Sequence, residues 1–320
     1  MLRSFFIYLS KAAWARKIVT RWQFAWRAAS RFVAGETIDD AIRAIQTLNE
    51  KGINATLDHL GENTTSPEAA RRATQDILDA FEAIEASGVC ANVSVKLSQI
   101  GMALDEALCY ENLATIIRSA QDKDSFVRLD MEDATWTDTT LRLFFRALDQ
   151  FGADRVGIVL QAYLYRTEKD LEEVLSAGGR VRLCKGAYKE PPQVAFPKKA
   201  DVDANYDHLA MMLINKAQAN GGQMGSMNCK IPPIPAIASH DEQRIAFAKE
   251  EQAKAGIPKN AIEFQMLYGI RRELQEKLAN DGYPVRVYVP YGTEWYPYYT
   301  RRLAERPANV WFFISNYFRK

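Results

Sequence analysis

Val285-Arg286-Val287-Tyr288-Val289-Pro290-Tyr291-Gly292 runs, after a short turn, into Trp295-Tyr296-Pro297-Tyr298-Tyr299-Thr300-Arg301-Arg302-Leu303-Ala304-Glu305. The first stretch alternates valine with bulkier residues in the manner of a strand, and the second carries a helical period. Read as a helix, it sets Tyr298, Arg301, Arg302 and Glu305 at i, i+3, i+4 and i+7, the spacing a surface helix normally reserves for its apolar stripe. Two adjacent guanidiniums can grip a carboxylate or phosphate in bidentate fashion, and a glutamate one turn on can meet a cation. That face suits a small zwitterion, although the same spacing also builds a solvated helix of i, i+3 and i, i+4 ion pairs. A helix entered directly from a strand is where ligand sites lie in α/β folds.

The same strand-then-helix unit recurs back along the chain. Apolar runs at 53–60, 91–97, 126–131, 155–163, 180–185, 234–239, 261–267 and 285–289 are each followed by a helical pattern, at 67–87, 105–121, 138–151, 168–177, 203–220, 241–255, 271–280 and 296–305. Eight alternating units predict a closed (β/α)8 barrel over 53–320, preceded by a helical arm over 1–52. The sixth strand is the weakest, because Pro232, Pro233 and Pro235 argue against a long central run. A chain of 320 residues with 48% hydrophobic residues has ample material for such a core.

The four cysteines (Cys90, Cys109, Cys184, Cys229) are widely spaced with no CxxC pair, so neither a disulfide framework nor a metal site is expected, in keeping with a reducing cytosol. Net charge is +1, but residues 1–35 carry seven basic residues and no acid, leaving 34 basic against 40 acidic residues elsewhere. That arm also holds Trp14, Trp22 and Trp26, half of the chain's tryptophans. It reads as helices packed on the body or on another subunit, as an interfacial segment on a membrane, or as a mitochondrial targeting segment. No window is long and apolar enough for a membrane span. Charge and aromatics in the arm would also allow a nucleic-acid patch, but the acidic body argues against nucleic acid as the partner.

Chemistry in a barrel collects at the C-terminal ends of the strands. Those ends carry Glu62, Lys96, Asp130 with Glu132, Gln161, Arg182 with Lys185, His240, Gln265 and Tyr288. A lysine inside a β pattern needs a carboxylate partner or an anionic ligand, and Asp130 is the partner expected for Lys96. No GxGxxG, Walker loop, nucleophile elbow or HExxH is present.

Taken together, Ser94-Val95-Lys96-Leu97-Ser98, Leu129-Asp130-Met131-Glu132, Leu160-Gln161-Ala162-Tyr163, Arg182-Leu183-Cys184-Lys185-Gly186-Ala187-Tyr188, Ala238-Ser239-His240, Phe264-Gln265-Met266-Leu267-Tyr268-Gly269 and the two stretches quoted first resemble the flavin-dependent proline dehydrogenase family. The resemblance covers about residues 53–313 in order, at the size of the monofunctional bacterial type. It implies non-covalent FAD at the barrel mouth, with Arg182 beside the reactive flavin nitrogen and Met131, Gln161, Lys185, Gly186, Ala187, Ser239 and His240 lining the cofactor. By the same resemblance Arg301 and Arg302 clamp the proline carboxylate and Lys96 approaches it. Glu305 lies by the amine, Tyr288 packs on the ring, Leu267 and Tyr298 close the pocket, Asp130 belongs to the catalytic shell and Glu62 gates entry. No metal is implied. The implied product is 1-pyrroline-5-carboxylate, handed to a pyrroline-5-carboxylate dehydrogenase, with electrons passing to a membrane quinone and residues 1–35 touching the inner-membrane surface from the cytoplasm. Two small departures are Lys189, where relatives often carry an aromatic, and Ser239 in place of a common threonine. The residues alone also allow a Schiff-base lyase or aldolase using Lys96 or Lys185, or a dehydrogenase preferring hydroxyproline, against which the phenol of Tyr288 argues.

Overall fold

The computed structural model describes residues 23–305, and side chains from 26 to 303. Eight parallel strands close into a barrel in chain order, β1 pairing with β8. The order is α1 (Gln23–Ala29), α2 (Ile38–Asn49), β1 (Asn54–His59), α3 (Pro67–Ser87), β2 (Ala91–Val95), α4 (Glu106–Asp122), β3 (Val127–Leu129), α5 (Thr137–Phe151), β4 (Val156–Gln161) and α6 (Thr167–Ser176). It continues with β5 (Arg180–Cys184), α7 (Lys199–Ala219), β6 (Pro235–Ala238), α8 (Glu242–Lys254), β7 (Glu263–Leu267), α9 (Arg272–Asn280), β8 (Val285–Tyr291) and α10 (Trp295–Glu305). All eight expected units are present. The sixth strand is short, with Pro235 at its first position, where a missing N–H breaks no interior ladder. Helix α7 starts at Lys199, ahead of the expected 203, because Lys199 packs its ammonium one turn on against Asp203.

The strands explain the barrel. Ala55, Leu57, Val93, Val95, Val127, Leu129, Val181, Leu183, Val285 and Val287 are buried with the apolar faces of the surrounding helices. Their polar alternates, among them Asp58, Ser94, Arg128, Arg182 and Arg286, are also buried. These point inward, since Arg182 on β5 donates to Ser94 on β2, a strand it does not pair with. A period-2 pattern buried on both sides puts the aliphatic core outside the sheet and a charged filling within it. Local signals hold the helices: α3 is capped by Ser66, whose hydroxyl accepts from Ala69 N at 3.2 Å, has Pro67 in its first turn, and ends on Gly88 at φ 64°.

Among the described residues no helix is long and apolar enough to cross a membrane. The described part of the arm packs on the body. Trp26 packs against Trp295, the rings tilted by 59° with centroids 5.4 Å apart, Phe32 meets Tyr299, and the Trp295 indole donates to Glu36 at 3.0 Å. Helix α2 buries Ala41, Ile42 and Ile45 in the core beside β1. Residues 1–22 lie outside the described residues.

The cysteines depart from expectation. Cys90, just ahead of β2, and Cys229, in the loop ahead of β6, form a disulfide across a sequence separation of 139, at the end of the barrel where strands begin. Two cysteines so distant give no spacing signal; only barrel closure brings these loops together, and cysteine usage ceases to argue for a reducing compartment. Cys109 and Cys184 are unpaired, and burial pushes each thiol up to about 12. Because the cross-link closes a long loop, Cys229→Ser or full reduction is expected to cost about 2–5 kcal/mol. Urea denaturation with and without a dithiol reductant measures it; equal midpoints would rule this out.

Candidate active site

A cavity of about 630 Å³ opens at the C-terminal ends of the strands. Strands β2 to β8 or the residues just beyond them line it: Lys96 follows β2, Asp130, Met131 and Glu132 follow β3, and Gln161 ends β4. Arg182 lies in β5, with Lys185, Gly186, Ala187 and Tyr188 just beyond. Ser239 and His240 follow β6, Gln265 and Leu267 come from β7, and Tyr288 comes from β8. Helix α10 covers one side with Tyr298, Arg301 and Arg302. Every residue expected at the site with a described side chain is therefore gathered here except Glu62, which reaches the rim as the ion-pair partner of Arg301. The side chain of Glu305 lies outside the described residues.

The floor is one hydrogen-bonded network. Lys96 Nζ donates to Asp58 Oδ1 at 2.7 Å and to the Tyr288 hydroxyl at 3.1 Å. That hydroxyl donates to Asp130 Oδ2 at 2.7 Å, and Asp130 Oδ1 accepts from Arg182 Nη1 at 3.0 Å and from Ser94 Oγ at 2.9 Å. The expected partner of Lys96, Asp130, is thus its second at 3.8 Å, and Asp58 its first. Burial pulls the Lys96 ammonium down, but the charges of Asp58 and Asp130 outweigh it and hold the group above its ordinary range. Burial pushes Asp58 the other way, with Lys96 opposing. Burial and the neighbouring Asp130 and Asp58 carboxylates keep the Tyr288 phenol neutral far above its usual range. Its ring lies under both cations, 5.8 Å from Lys96 Nζ and 5.4 Å from Arg182 Cζ.

At the rim, Lys185 Nζ is held between Asp203 and Asp241. Gly186 has φ 110°, and a Cβ there would come within 2.3 Å of the Tyr163 ring, so the glycine is required by its own backbone and by that ring as well as by any ligand. Leu267 N donates to His240 Nε2 at 2.9 Å, which assigns that nitrogen as the acceptor. Arg302 lies over the Tyr298 ring, 5.1 Å from its centroid. Three residues without an assigned role in the sequence belong here. Glu132 accepts from Ser98 N at 2.9 Å and from Ser98 Oγ, and burial raises its carboxyl against those bonds. Tyr188 lines the cavity, its phenol pushed up by burial and by the charge of Glu132 with Arg301 opposing, and Asp58 anchors Lys96. Asp58 carried the signal already applied to Lys96, an ionisable residue inside a β pattern.

The family model for proline dehydrogenase matches residues 41–314. The chain belongs to the proline dehydrogenase family, and is an oxidoreductase of that family. It is 43% identical over 296 residues to a proline dehydrogenase of Deinococcus radiodurans, spanning 92% of this chain and 91% of the relative. It is 39% identical over 318 residues to proline dehydrogenase 2 of Bacillus subtilis, spanning 99% of each. Among solved structures, proline utilization A (PutA) from Bdellovibrio bacteriovorus, inactivated by N-propargylglycine, superposes with a TM-score of 0.77 at 27% identity, over 87% of this chain and 32% of that longer one.

Removing one charge of a buried pair leaves the other uncompensated, so Asp58→Asn is expected to cost about 3–5 kcal/mol. Lys96→Met combined with Asp58→Asn should cost less than the singles added together, and strict additivity in urea denaturation would sink the assignment. The sign of the pH dependence follows from Lys96: a raised folded value means its contribution is whole below the unfolded value of 10.5 and lost only as pH rises through the folded one. The Lys96 contribution itself is therefore flat below about pH 9, while the stability difference between wild type and Lys96→Met should widen as pH rises, because the variant's buried Asp58 has lost the cation that opposes its burial.

Proposed function

We propose that the chain oxidises L-proline to 1-pyrroline-5-carboxylate with FAD as its cofactor. The observation that carries the reading is the joint placement, in one cavity, of paired arginines on α10 against a fixed Lys96–Tyr288 floor and a buried Arg182. The relatives named above are proline dehydrogenases, which supports the same substrate.

The donor set fits FAD. Apolar walls from Met131, Val159 and Leu267 suit a flat ring system, while Lys185 and Lys199 lie on the same cavity and suit a diphosphate. Arg182, Gln161, Ala187, Ser239 and His240 complete the residues that would hold it. When bound, FAD supplies the hydride acceptor.

The protein's own part is orientation and charge. Arg301 and Arg302 take the substrate carboxylate, Arg301 exchanging the Glu62 carboxylate for it, which gives Glu62 the role of gate. Lys96, kept protonated by Asp58 and Asp130, adds a further cation for the carboxylate. The Tyr288 phenol, pinned between Lys96 and Asp130, presents a rigid wall to the pyrrolidine ring, and Leu267 and Tyr298 exclude water around it. Arg182 keeps a guanidinium fixed by Asp130 and Ser94 at the floor, which favours negative charge developing there. The substrate amine gives up a proton before its C=N bond forms. Glu305, one turn along α10 from Arg301 and Arg302, is assigned as an amine contact and not as the base that takes it. Electrons pass on to a membrane quinone, reached from the cytoplasmic side with residues 1–35 at the inner-membrane surface, and the product goes to a pyrroline-5-carboxylate dehydrogenase.

The visible spectrum of the purified protein, before and after anaerobic L-proline, tests this. Flavin bands that bleach with L-proline are expected; bands that persist with L-proline but bleach with another amine sink the substrate, and a flavin-free protein sinks the cofactor and favours the lyase. Arg302→Ala should lower kcat/KM on the order of 100-fold, the scale of a lost charge-assisted contact of about 2–5 kcal/mol. A fall below about threefold would remove Arg302 from the clamp.

A further inference from the structure

A column of hydrogen bonds runs through the barrel from the cavity floor to the opposite end. Arg182 Nε donates to Gln265 Oε1, and Gln265 Nε2 donates to Glu263 Oε1. Arg286 Nε donates to the same carboxylate oxygen at 2.9 Å, and its two terminal nitrogens donate to Ala55 O and Cys229 O, each at 2.7 Å. All four side chains are buried. Gln265 lines the cavity; Glu263 and Arg286 do not.

The direction of the column comes from its chemistry. A side-chain amide has one accepting end and one donating end, and its neighbours decide which way it faces. A carboxylate only accepts, so Glu263 takes the nitrogen of Gln265 and leaves the oxygen for Arg182, whose guanidinium only donates. The charge balance points the same way. Arg182 has Asp130 at the mouth, and Arg180 has Asp154 at the far end. Arg128 has no carboxylate within ion-pair distance among the described residues, and its Nε and Nη2 have no hydrogen-bond partner there. Burial, then the guanidinium of Arg182, drive Arg128 well below the ordinary arginine range, and Glu263 is the carboxylate that opposes them.

We propose that Glu263 is a positioning residue for the oxidation: by holding the Gln265 amide in one orientation it fixes the Arg182 guanidinium at the cavity floor. This rests on the reading that Arg182 acts on bound FAD.

The test uses the FAD-loaded chain with Glu263→Gln, with the exchange Glu263→Gln/Gln265→Glu, and with each combined with Arg182→Met. An amide at 263 lets Gln265 turn over, whereas the exchange restores an acceptor toward Arg182 and keeps the charge. Glu263→Gln is expected to lower the limiting rate of flavin reduction by L-proline about tenfold and to lower the flavin midpoint potential, with the proline Kd within about threefold. The exchange should recover the rate to within about twofold and bring the midpoint potential back toward the wild-type value, and neither change should matter once Arg182 is methionine. A purely structural role would reduce urea midpoint and flavin retention in every background with the potential unmoved, and that result overturns the proposal. If Glu263→Gln does not fold, the exchange alone decides: native rate and potential support it, and both lowered as far as in Arg182→Met overturn it. Should wild type hold no flavin, the functional reading fails separately, and urea denaturation of the 263 and 182 variants still decides, since no coupling between them overturns this inference.

Discussion

The structure depends on pairing charge inside a sheet that admits little water. Arg128, Arg182, Arg286, Asp58 and Glu263 are buried on the strands, and Lys96 is buried just beyond the end of β2. Transferring an isolated charge from water into such a place costs several kcal/mol, and attraction offsets this only where geometry is good and the remaining donors are satisfied. Lys96 meets that condition with Asp58, Asp130 and Tyr288, and Arg286 meets it with Glu263 and two carbonyls. A filling that must be satisfied in one arrangement is also rigid, and rigidity is what a site that orients its ligand requires.

The outer shell supports that filling differently. Helix α10 shows its arginines to the cavity and its aromatic back to the segment around α1, where Trp295 and Tyr299 bury against Trp26 and Phe32. Each such aromatic contact adds roughly 0.5–1.5 kcal/mol beyond its burial. The helix is therefore seated from behind, and Arg301 and Arg302 need little reordering on the side that faces ligand.

How much was readable in advance follows from how local each signal is. The eight units announced themselves because a strand buried on both faces is dense in β-branched residues and a following helix has its own period and caps, as Ser66 and Gly88 show. The cavity residues were readable as polar interruptions at strand ends, and nearly all of those expected with described side chains fall on one cavity. What escaped depends on contacts between distant segments. Cys90 and Cys229 acquire meaning only when the strands close into a ring, and Glu263, at the start of its strand, looks like an ordinary loop-proximal acid until Gln265 and Arg286 are seen to share it. Asp58 was missed for a different reason, because Asp130 already offered Lys96 a partner and β1 lies as near to β2 as β3 does.

Closure of the ring between β1 and β8 bears on how the protein is made. The Arg286 guanidinium reaches Ala55 O across 231 residues of chain. At roughly 5–20 residues per second, a ribosome needs on the order of 10–50 s to deliver β8 after β1 has emerged. Throughout that interval β1 presents a bare hydrogen-bonding edge and the inward-facing ionic groups lack part of their company. Ring closure is thus among the last events of synthesis, and slower decoding late in the message would lengthen the time for which β1 waits for β8.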